Sequence, residues 1–130
     1  MIYYTDDATP FSEDDFQGFF DGWPDPPSPE TLLYILKNRE HSLLAVDDRK
    51  RRIVGFIYAI SDNKLFAYIP MLEVLPEYRM QGVGTQLLER LTEKMKDMYS
   101  IDLCCDDKLV HFYERSGFLK VNGMLKRNCK

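Results

Sequence analysis

The stretch that decides the fold runs from Met71 to Thr85 and reads MLEVLPEYRMQGVGT. Its first residues alternate apolar and acidic side chains up to Val74, which is typical of a strand. Pro76 has no N–H to donate, so a strand ladder stops there. The segment Arg79–Gly84 then has the form Arg-x-x-Gly-x-Gly, and a helical repeat of leucines follows it. The stretch therefore predicts a strand, a sharp turn and a helix in succession.

The glycine turn at this predicted helix start is a candidate anion site. The first N–H groups of a helix have no partner within the helix and lie at the positive end of its dipole. Gly82 and Gly84 allow the backbone to approach a ligand closely, and phosphate is the usual ligand of such turns. A helix start without any ligand is the alternative interpretation.

Composition predicts one soluble domain over residues 1–130, with 45% apolar and 29% charged residues. The chain does not open on a basic segment followed by an apolar one, so we expect no secretory signal. The longest apolar run, Ile53–Ile60, is too short to span a bilayer. Three cysteines show no metal-binding spacing; they are Cys104, Cys105 and Cys129. We expect reduced thiols, no metal and no membrane contact in a cytoplasmic protein.

Acidic residues are concentrated in the first thirty positions, which carry eight carboxylates and no lysine or arginine. The other hundred positions carry 13 acidic and 17 basic residues, a net +4, whereas the whole chain has −4. The acidic segment of residues 1–30 suits a cationic substrate, and the mildly basic remainder of the chain suits an anionic cofactor. The alternative is that the acidic segment is merely a solvated surface. The only basic run is Arg49–Arg52, so nucleic-acid binding is not expected.

Patterning along the chain predicts strands and helices on both sides of this stretch. Pro70 interrupts the predicted strand Leu65–Val74. A proline inside a strand indicates an edge strand or a β-bulge. Because a helix links the fourth and fifth strands, these two should be parallel. The predicted elements are strand Ile2–Thr5, a weak helix Phe11–Phe20, helix Thr31–Arg39 capped by Ser28 and Pro29, strands Ser42–Val46, Ile53–Ile60 and Leu65–Val74, helix Gly84–Met98, strand Ile101–Cys105, helix Lys108–Ser116, and a hairpin of Phe118–Val121 with Met124–Arg127 around Asn122-Gly123.

In this order of elements, the chain resembles the GNAT acyltransferase superfamily. Three stretches carry the resemblance: the lead-in Leu72–Pro76, the turn Arg79–Gly84 and the segment Phe112–Phe118, which reads FYERSGF. The resemblance implies an α/β fold of the α+β type, with a mixed sheet of about seven strands, about four helices, and parallel strands 4 and 5 that splay apart. It also implies direct transfer of an acetyl group from acetyl-CoA to a primary amine in a ternary complex.

The resemblance places CoA on the fourth strand and on the turn after it. The pantetheine arm would pair with the backbone of Leu72 and Val74 as an added strand, and the Val74 N–H would polarise the thioester carbonyl. Arg79 would add charge or shape the turn. The residues assigned to the cofactor are Leu72, Val74, Arg79, Met80, Gln81, Gly82, Val83, Gly84 and Thr85. Many members carry asparagine where this chain has Asp106, so Asp106 is not assigned to CoA.

Acetyl transfer needs a base for the ammonium and an acid for the departing thiolate. Tyr113 matches the family's general acid, and a tyrosine that merely packs on the sheet is the alternative. Glu73 is the best candidate base, although a structural glutamate is an equal alternative. Tyr68 and the carboxylates of residues 11–30 are other acceptable bases.

Trp23, the only tryptophan of the chain, lies in a proline-rich segment that excludes regular structure. Its side chain either fills the hydrophobic core beneath the loop or lines the substrate site. The acceptor is expected to be a cationic amine on a small molecule or a protein. Many relatives are dimers, so a homodimer is one expected assembly, and a CoA-binding sensor with little catalysis is the alternative function.

Overall fold

The computed structural model describes residues 1–128, in which five strands form one mixed sheet. The strands lie side by side in chain order and are β1 (Ile2–Thr5), β2 (His41–Asp47), β3 (Arg52–Ser61), β4 (Phe66–Val74) and β5 (Ser100–Leu103). The pairs β1–β2, β2–β3 and β3–β4 are antiparallel, and β5 is parallel to β4. The predicted α/β fold with parallel strands 4 and 5 is confirmed, with five strands in the described residues rather than about seven.

Three α-helices accompany the sheet: α1 (Pro29–Lys37), α2 (Val83–Lys94) and α3 (Val110–Glu114). The predicted cap of α1 is present, because the Ser28 hydroxyl oxygen accepts a hydrogen bond from the Thr31 N–H at 3.1 Å. The fourth helix, predicted over 11–20, is wrong, since only Glu13–Asp15 forms a 3₁₀ turn. Gly18 and Phe20 take positive φ angles of 94° and 66°, which a right-handed helix cannot contain.

The sheet separates two hydrophobic cores because successive strand residues point to opposite faces. Leu43 and Ala45 of β2 face the core under α2, whereas Leu44 and Val46 face the core under α1. Each helix contributes a leucine stripe: Leu87, Leu88 and Leu91 from α2, and Leu32, Leu33 and Leu36 from α1. Both faces of the central strands are thereby buried, and the sheet gives a rigid support to the loops at its ends.

Pro70 coincides with a bulge in β4, as its position in the strand predicts. Ile60 pairs with Tyr68 and Tyr58 pairs with Met71, so β4 advances three residues while β3 advances two. One extra residue is therefore inserted in β4. The pairing with β5 also ends here, at Ile69 opposite Leu103, and residues 70–74 have no strand on their outer side within the described chain. The paired part of the two parallel strands is therefore short, and their splay beyond it stays a prediction.

The bulge reverses which side chains of β4 face the core under α2. Two residues before the bulge and two after it pack there: Ala67, Ile69, Leu72 and Val74. Glu73 therefore points to the opposite face, where the neighbouring Met71 packs against the core under α1. The bulge thus sets the side of the sheet on which Glu73 lies.

The hairpin predicted over Phe118–Val121 and Met124–Arg127 is wrong. Residues 118–128 contain no strand, and their apolar side chains Leu119, Val121, Met124 and Leu125 are 62–99% exposed. A favourable turn sequence does not hold two strands together when no hydrophobic face covers them. Cys129 lies outside the described residues. Over residues 1–128, no helix is long and apolar enough to cross a membrane.

Candidate active site

The turn between β4 and α2 adopts the conformation of an anion-binding loop. Met80 and Gly82 take positive φ angles of 64° and 83°, and Gly82 directly precedes α2. A Cβ at Gly82 would meet no atom within 4 Å, so glycine is needed here for its backbone angle and not for space. Residues with positive φ, Met80 and Gly82, therefore alternate with Gln81, whose φ is not positive. This alternation turns consecutive N–H groups toward a common point.

Five consecutive N–H groups of this turn are available to a ligand. Within residues 1–128, the amides from Gln81 to Thr85 donate to no protein acceptor; the first intrahelical donor is Gln86, whose N–H reaches the Gly82 carbonyl at 3.0 Å. Such donors at the N-terminus of a twelve-residue helix fit a phosphate group. The geometry of these residues therefore fits the pyrophosphate of CoA.

Side-chain hydrogen bonds hold the turn in place. Arg79 Nε donates to the Val74 carbonyl at 3.0 Å, so this arginine joins the turn to the end of β4. The Tyr78 hydroxyl donates to the buried Asp47 at 2.6 Å. Arg52 pairs with Glu77 at 3.2 Å. Of the two roles predicted for Arg79, shaping the turn has a contact in the structure.

Two glycines lie where α2 packs on the sheet, and at Gly55 a Cβ would be too close to its neighbours. A Cβ at Gly84 would stand 3.4 Å from the Phe112 ring and 3.7 Å from Val74 Cγ2, so β4, α2 and α3 meet at this residue. A Cβ at Gly55 would stand 3.1 Å from Leu87 Cδ1 and 3.2 Å from the Glu73 carbonyl. Sequence reasoning missed Gly55, although a glycine inside an apolar strand is a known signal of close backbone approach.

Glu73 lies half-buried on the open half of β4. Burial raises the pKa of its carboxyl group, and the nearby Arg79 guanidinium opposes this shift. Glu73 lines a cavity of about 50 Å³. A loop from the N-terminal segment forms the other wall of this cavity, and its lining residues are Gly18, Phe19, Phe20, Asp21 and Trp23. A half-buried carboxylate in a small cavity is suitably placed to accept a proton.

Tyr113 is buried on α3, with 9% of its surface exposed. Its ring centroid lies 5.0 Å from that of Phe112 and 5.8 Å from that of Phe118. Burial, together with the negative charges of Cys105 and Glu73, raises the pKa of Tyr113 to about 12. The hydroxyl is therefore protonated at neutral pH. Because its pKa responds to the charge of Glu73, the two predicted catalytic residues lie within electrostatic range of each other.

Several other predicted candidates lie elsewhere. Tyr68 is 41% exposed on the half of β4 that pairs with β5, and the neighbouring Cys104 raises its pKa. Of the carboxylates in residues 11–30, Asp21 is the one that lines the cavity with Glu73. Asp106 is exposed ahead of α3.

No group of three or more His, Cys, Asp or Glu side chains in residues 1–128 is arranged to hold a metal ion. Cys104 and Cys105 are exposed thiols that form no disulfide in this part of the chain.

The Gly82 turn gives a first prediction. Gly82→Ala should weaken CoA binding, because a left-handed angle costs a non-glycine residue about 1–2 kcal/mol and the turn relaxes to avoid it. Gly22→Ala is the matched control: Gly22 has a φ of 82° and equally open surroundings. Calorimetric titration with CoA measures the affinity, and thermal unfolding measures the stability of both variants. Equal CoA affinity of the two variants would remove the turn from the cofactor site.

Comparison with known proteins identifies the kind of fold and site. The family model described as "Acetyltransferase (GNAT) family" matches residues 8–118. A candidate acetyltransferase from Deinococcus radiodurans is 39% identical and superposes with a TM-score of 0.93, over 98% of this chain and 88% of its own. A histone acetyltransferase from Glycine max is 32% identical over 108 residues, which are 75% of this chain and 46% of that protein.

A more distant structure shares the fold and was solved with CoA. A chain of the NatC complex bound to Gag peptide and CoA is 24% identical and superposes with a TM-score of 0.72, over 93% of this chain and 86% of its own. The present chain spans 28% to 51% of the length of curated relatives that are 30% to 35% identical to it.

Proposed function

The chain belongs to the GNAT acetyltransferase family, and we propose that it transfers the acetyl group of acetyl-CoA to a primary amine by direct attack in a ternary complex. One observation carries the proposal: the turn after β4, with its five available N–H donors, follows the strand that bears the half-buried Glu73 and lies against α3, the helix that bears Tyr113. The sequence motifs predict the same three parts of the site.

The chain's own residues account for cofactor binding. The N–H groups from Gln81 to Thr85 hold the pyrophosphate, and the outer edge of β4 from Pro70 to Val74 receives the pantetheine arm. Acetyl-CoA, when bound, supplies the acetyl group and a thiolate leaving group. The Val74 N–H polarises the thioester carbonyl.

Glu73 acts as the base in this proposal. An alkylammonium has a pKa of about 10.4, so it must lose a proton before its nitrogen can attack. Glu73 takes this proton directly or through one water, and its raised pKa makes it a stronger base than an exposed glutamate. The amine nitrogen then forms its bond to the acetyl carbon as the carbon–sulfur bond breaks, and the second proton that this nitrogen loses ends on the departing thiolate.

Tyr113 acts on the departing sulfur. A phenol with a pKa of about 12 is a much weaker acid than a thiol, whose ordinary pKa is about 8.5. Tyr113 therefore donates a hydrogen bond to the sulfur as negative charge develops. Complete proton transfer is favourable only if burial raises the pKa of the sulfur as well.

The acceptor is proposed to be cationic, carried by a small molecule or by a protein. The support is the acidic N-terminal segment, whose Asp21 lines the cavity beside Glu73. A homodimer and a cytoplasmic location stay predictions. Light scattering at the assay concentration measures whether the protein is a homodimer.

An amine panel tests the proposal. The protein, acetyl-CoA and a thiol-detecting reagent are mixed with diamines, blocked lysine, amino-acid amides and amino sugars. We expect thiol release well above the rate of spontaneous hydrolysis with at least one amine, and an N-acetyl product by mass spectrometry. Tight CoA binding with no thiol release across the panel would contradict the enzyme and favour the CoA-binding module instead.

A further inference from the structure

One carboxylate is buried at the end of β2, next to the turn that precedes α2. Asp47 is 8% exposed, and among the carboxylates of residues 1–128 it alone is buried. It shares the α2 face of β2 with Leu43 and Ala45, since alternate residues of a strand point to the same side. Moving a carboxylate out of water is costly unless hydrogen bonds replace its hydration. The burial of Asp47 therefore has to be explained by its contacts.

Two hydrogen bonds use the two oxygens of Asp47 separately. Oδ1 accepts from the Arg49 N–H at 3.1 Å, a bond within the β2–β3 hairpin. Oδ2 accepts from the Tyr78 hydroxyl at 2.6 Å, across 31 residues of sequence. The second bond lowers the pKa of Asp47 and raises the pKa of Tyr78, so both groups respond to it. A bond this short between a phenol and a carboxylate is of the strong, charge-assisted kind.

Tyr78 belongs to the turn that follows β4, and its ring packs against the core under α2. Its N–H donates to the Leu75 carbonyl at 2.9 Å, and the Arg79 N–H donates to the Pro76 carbonyl at 3.3 Å. Only Arg79 separates Tyr78 from Met80, where the backbone takes the first positive φ of this turn. The Tyr78 ring is therefore placed to fix the point at which the chain enters the segment with the available N–H groups.

The side-chain links between this turn and the sheet differ in burial. Arg79 bonds to the end of β4, the strand from which the turn itself emerges. The side chains of Arg52 and Glu77 are 31% and 59% exposed, and an exposed ion pair contributes little. The Tyr78 bond ends on the buried Asp47 of β2, which is separated from β4 by β3. It is thus a buried link from the turn to a strand other than β4.

A fixed turn matters for the affinity of an anionic ligand. The five N–H groups from Gln81 to Thr85 hold a pyrophosphate only when they converge on it. A mobile turn would have to be ordered by the ligand, and this ordering would lower the affinity. β2 lies between β1 and β3 with both faces covered, so Asp47 gives Tyr78 a rigid anchor.

We propose that Asp47 and Tyr78 are positioning residues for the pyrophosphate of CoA. Their hydrogen bond holds the turn after β4 in its ligand-binding form before the cofactor arrives. In this role neither side chain touches the reacting atoms. The pair sets the affinity for CoA and leaves the chemistry to Glu73 and Tyr113. The inference rests on the proposed function, which supplies CoA as the ligand.

The first test removes the hydrogen bond and keeps the ring, as Tyr78→Phe does. We expect its Kd for CoA, measured by calorimetry, to rise at least about 10-fold, the scale of one hydrogen bond to a charged group. Tyr58→Phe is the matched control, because Tyr58 is a buried tyrosine of β3 that packs in the core under α1, and its Kd should stay unchanged. An unchanged Kd for Tyr78→Phe would overturn the proposal. Wild-type protein that bound no CoA would overturn the proposed function, and this inference with it.

The second test asks whether the two residues act through one bond. Asparagine at position 47 can still accept from the Tyr78 hydroxyl, but a bond to a neutral acceptor is weaker. Asp47→Asn should therefore weaken CoA binding less than Tyr78→Phe does. In the Tyr78→Phe background it should cause no further loss of affinity, because the bond is already absent. Losses that multiply in the double variant would contradict the pairing. So would an Asp47→Asn protein with a lower melting temperature and unchanged CoA affinity, since Asp47 would then serve only the hairpin.

The kinetic constants separate positioning from a general loosening of the site. Saturating acetyl-CoA orders the turn in either enzyme, so Tyr78→Phe should raise KM for acetyl-CoA and keep kcat within about twofold of the wild type. A larger fall in kcat, with or without a change in KM, would indicate a loosened site and overturn the proposal. Thermal unfolding without ligand checks that each variant is folded at the assay temperature. If the wild type bound CoA without transferring acetyl groups, the proposed reaction would be wrong, and the calorimetric comparison would still decide the role of Asp47 and Tyr78.

Discussion

Replacing Tyr113 with phenylalanine is expected to lower kcat by about 10²- to 10⁴-fold, the range in which positioned acid groups contribute. The affinity for CoA should remain within about twofold of the wild type, because the ring keeps its packing against Phe112 and Phe118 and loses only the hydroxyl. Stopped-flow or steady-state thiol release gives kcat, and calorimetry gives the affinity.

A matched control separates chemistry from burial. Tyr58 is 5% exposed on β3, and burial raises its pKa as it does for Tyr113. Tyr58→Phe therefore removes a buried phenol that lies outside the site, and it should retain nearly full kcat. A Tyr113→Phe enzyme with wild-type kcat across its pH range would remove the acid assignment.

The second large effect is expected for Glu73→Gln, which should lower kcat by about 10²- to 10⁴-fold at neutral pH. The amide has nearly the same shape as the carboxyl group but cannot accept the ammonium proton. Glu89→Gln is the control for the change of charge, because Glu89 is exposed on α2. If both variants lost activity equally, net charge rather than a base at Glu73 would explain the loss.

The stability of Glu73→Gln should change in the opposite direction to its activity. Burial raises the pKa of Glu73 in the folded state above its unfolded value, so the ionised carboxylate destabilises the fold at neutral pH. Glutamine removes this penalty, and the melting temperature of the variant should equal or exceed that of the wild type at pH 7. The advantage should shrink as the pH falls through the folded pKa of Glu73, and it should vanish below the unfolded pKa of glutamate, where both states bind the proton. Thermal unfolding between about pH 4 and 8 covers this range.

Local sequence signals were sufficient to predict most of the fold and the turn between β4 and α2. Ser28 and Pro29 predicted the start of α1, and Pro70 predicted the bulge in β4. The glycines after Arg79 predicted the turn that precedes α2. Each of these features depends on the geometry of one residue and its close neighbours, which is why the pattern alone predicts it.

Features that depend on distant contacts were not predictable in this way. The segment 11–20 has helical spacing of phenylalanines, yet packing of Phe19 and Phe20 on Phe56 favours an irregular loop instead. The cavity joins Asp21 and Trp23 to Glu73 across fifty residues, and no local pattern encodes that meeting. Similarly, Asn122-Gly123 is a strong turn signal, but it forms no hairpin without a surface to cover.

The pH dependence of kcat/KM for wild type and Glu73→Gln with propane-1,3-diamine tests the central claim most directly. If Glu73 deprotonates the bound ammonium, the wild type reaches a plateau above the pKa of Glu73 and keeps it up to the amine pKa of about 10. Glu73→Gln has no base, so its rate should follow the free amine and rise about tenfold per pH unit over the same range. Identical profiles for the two enzymes would contradict the account.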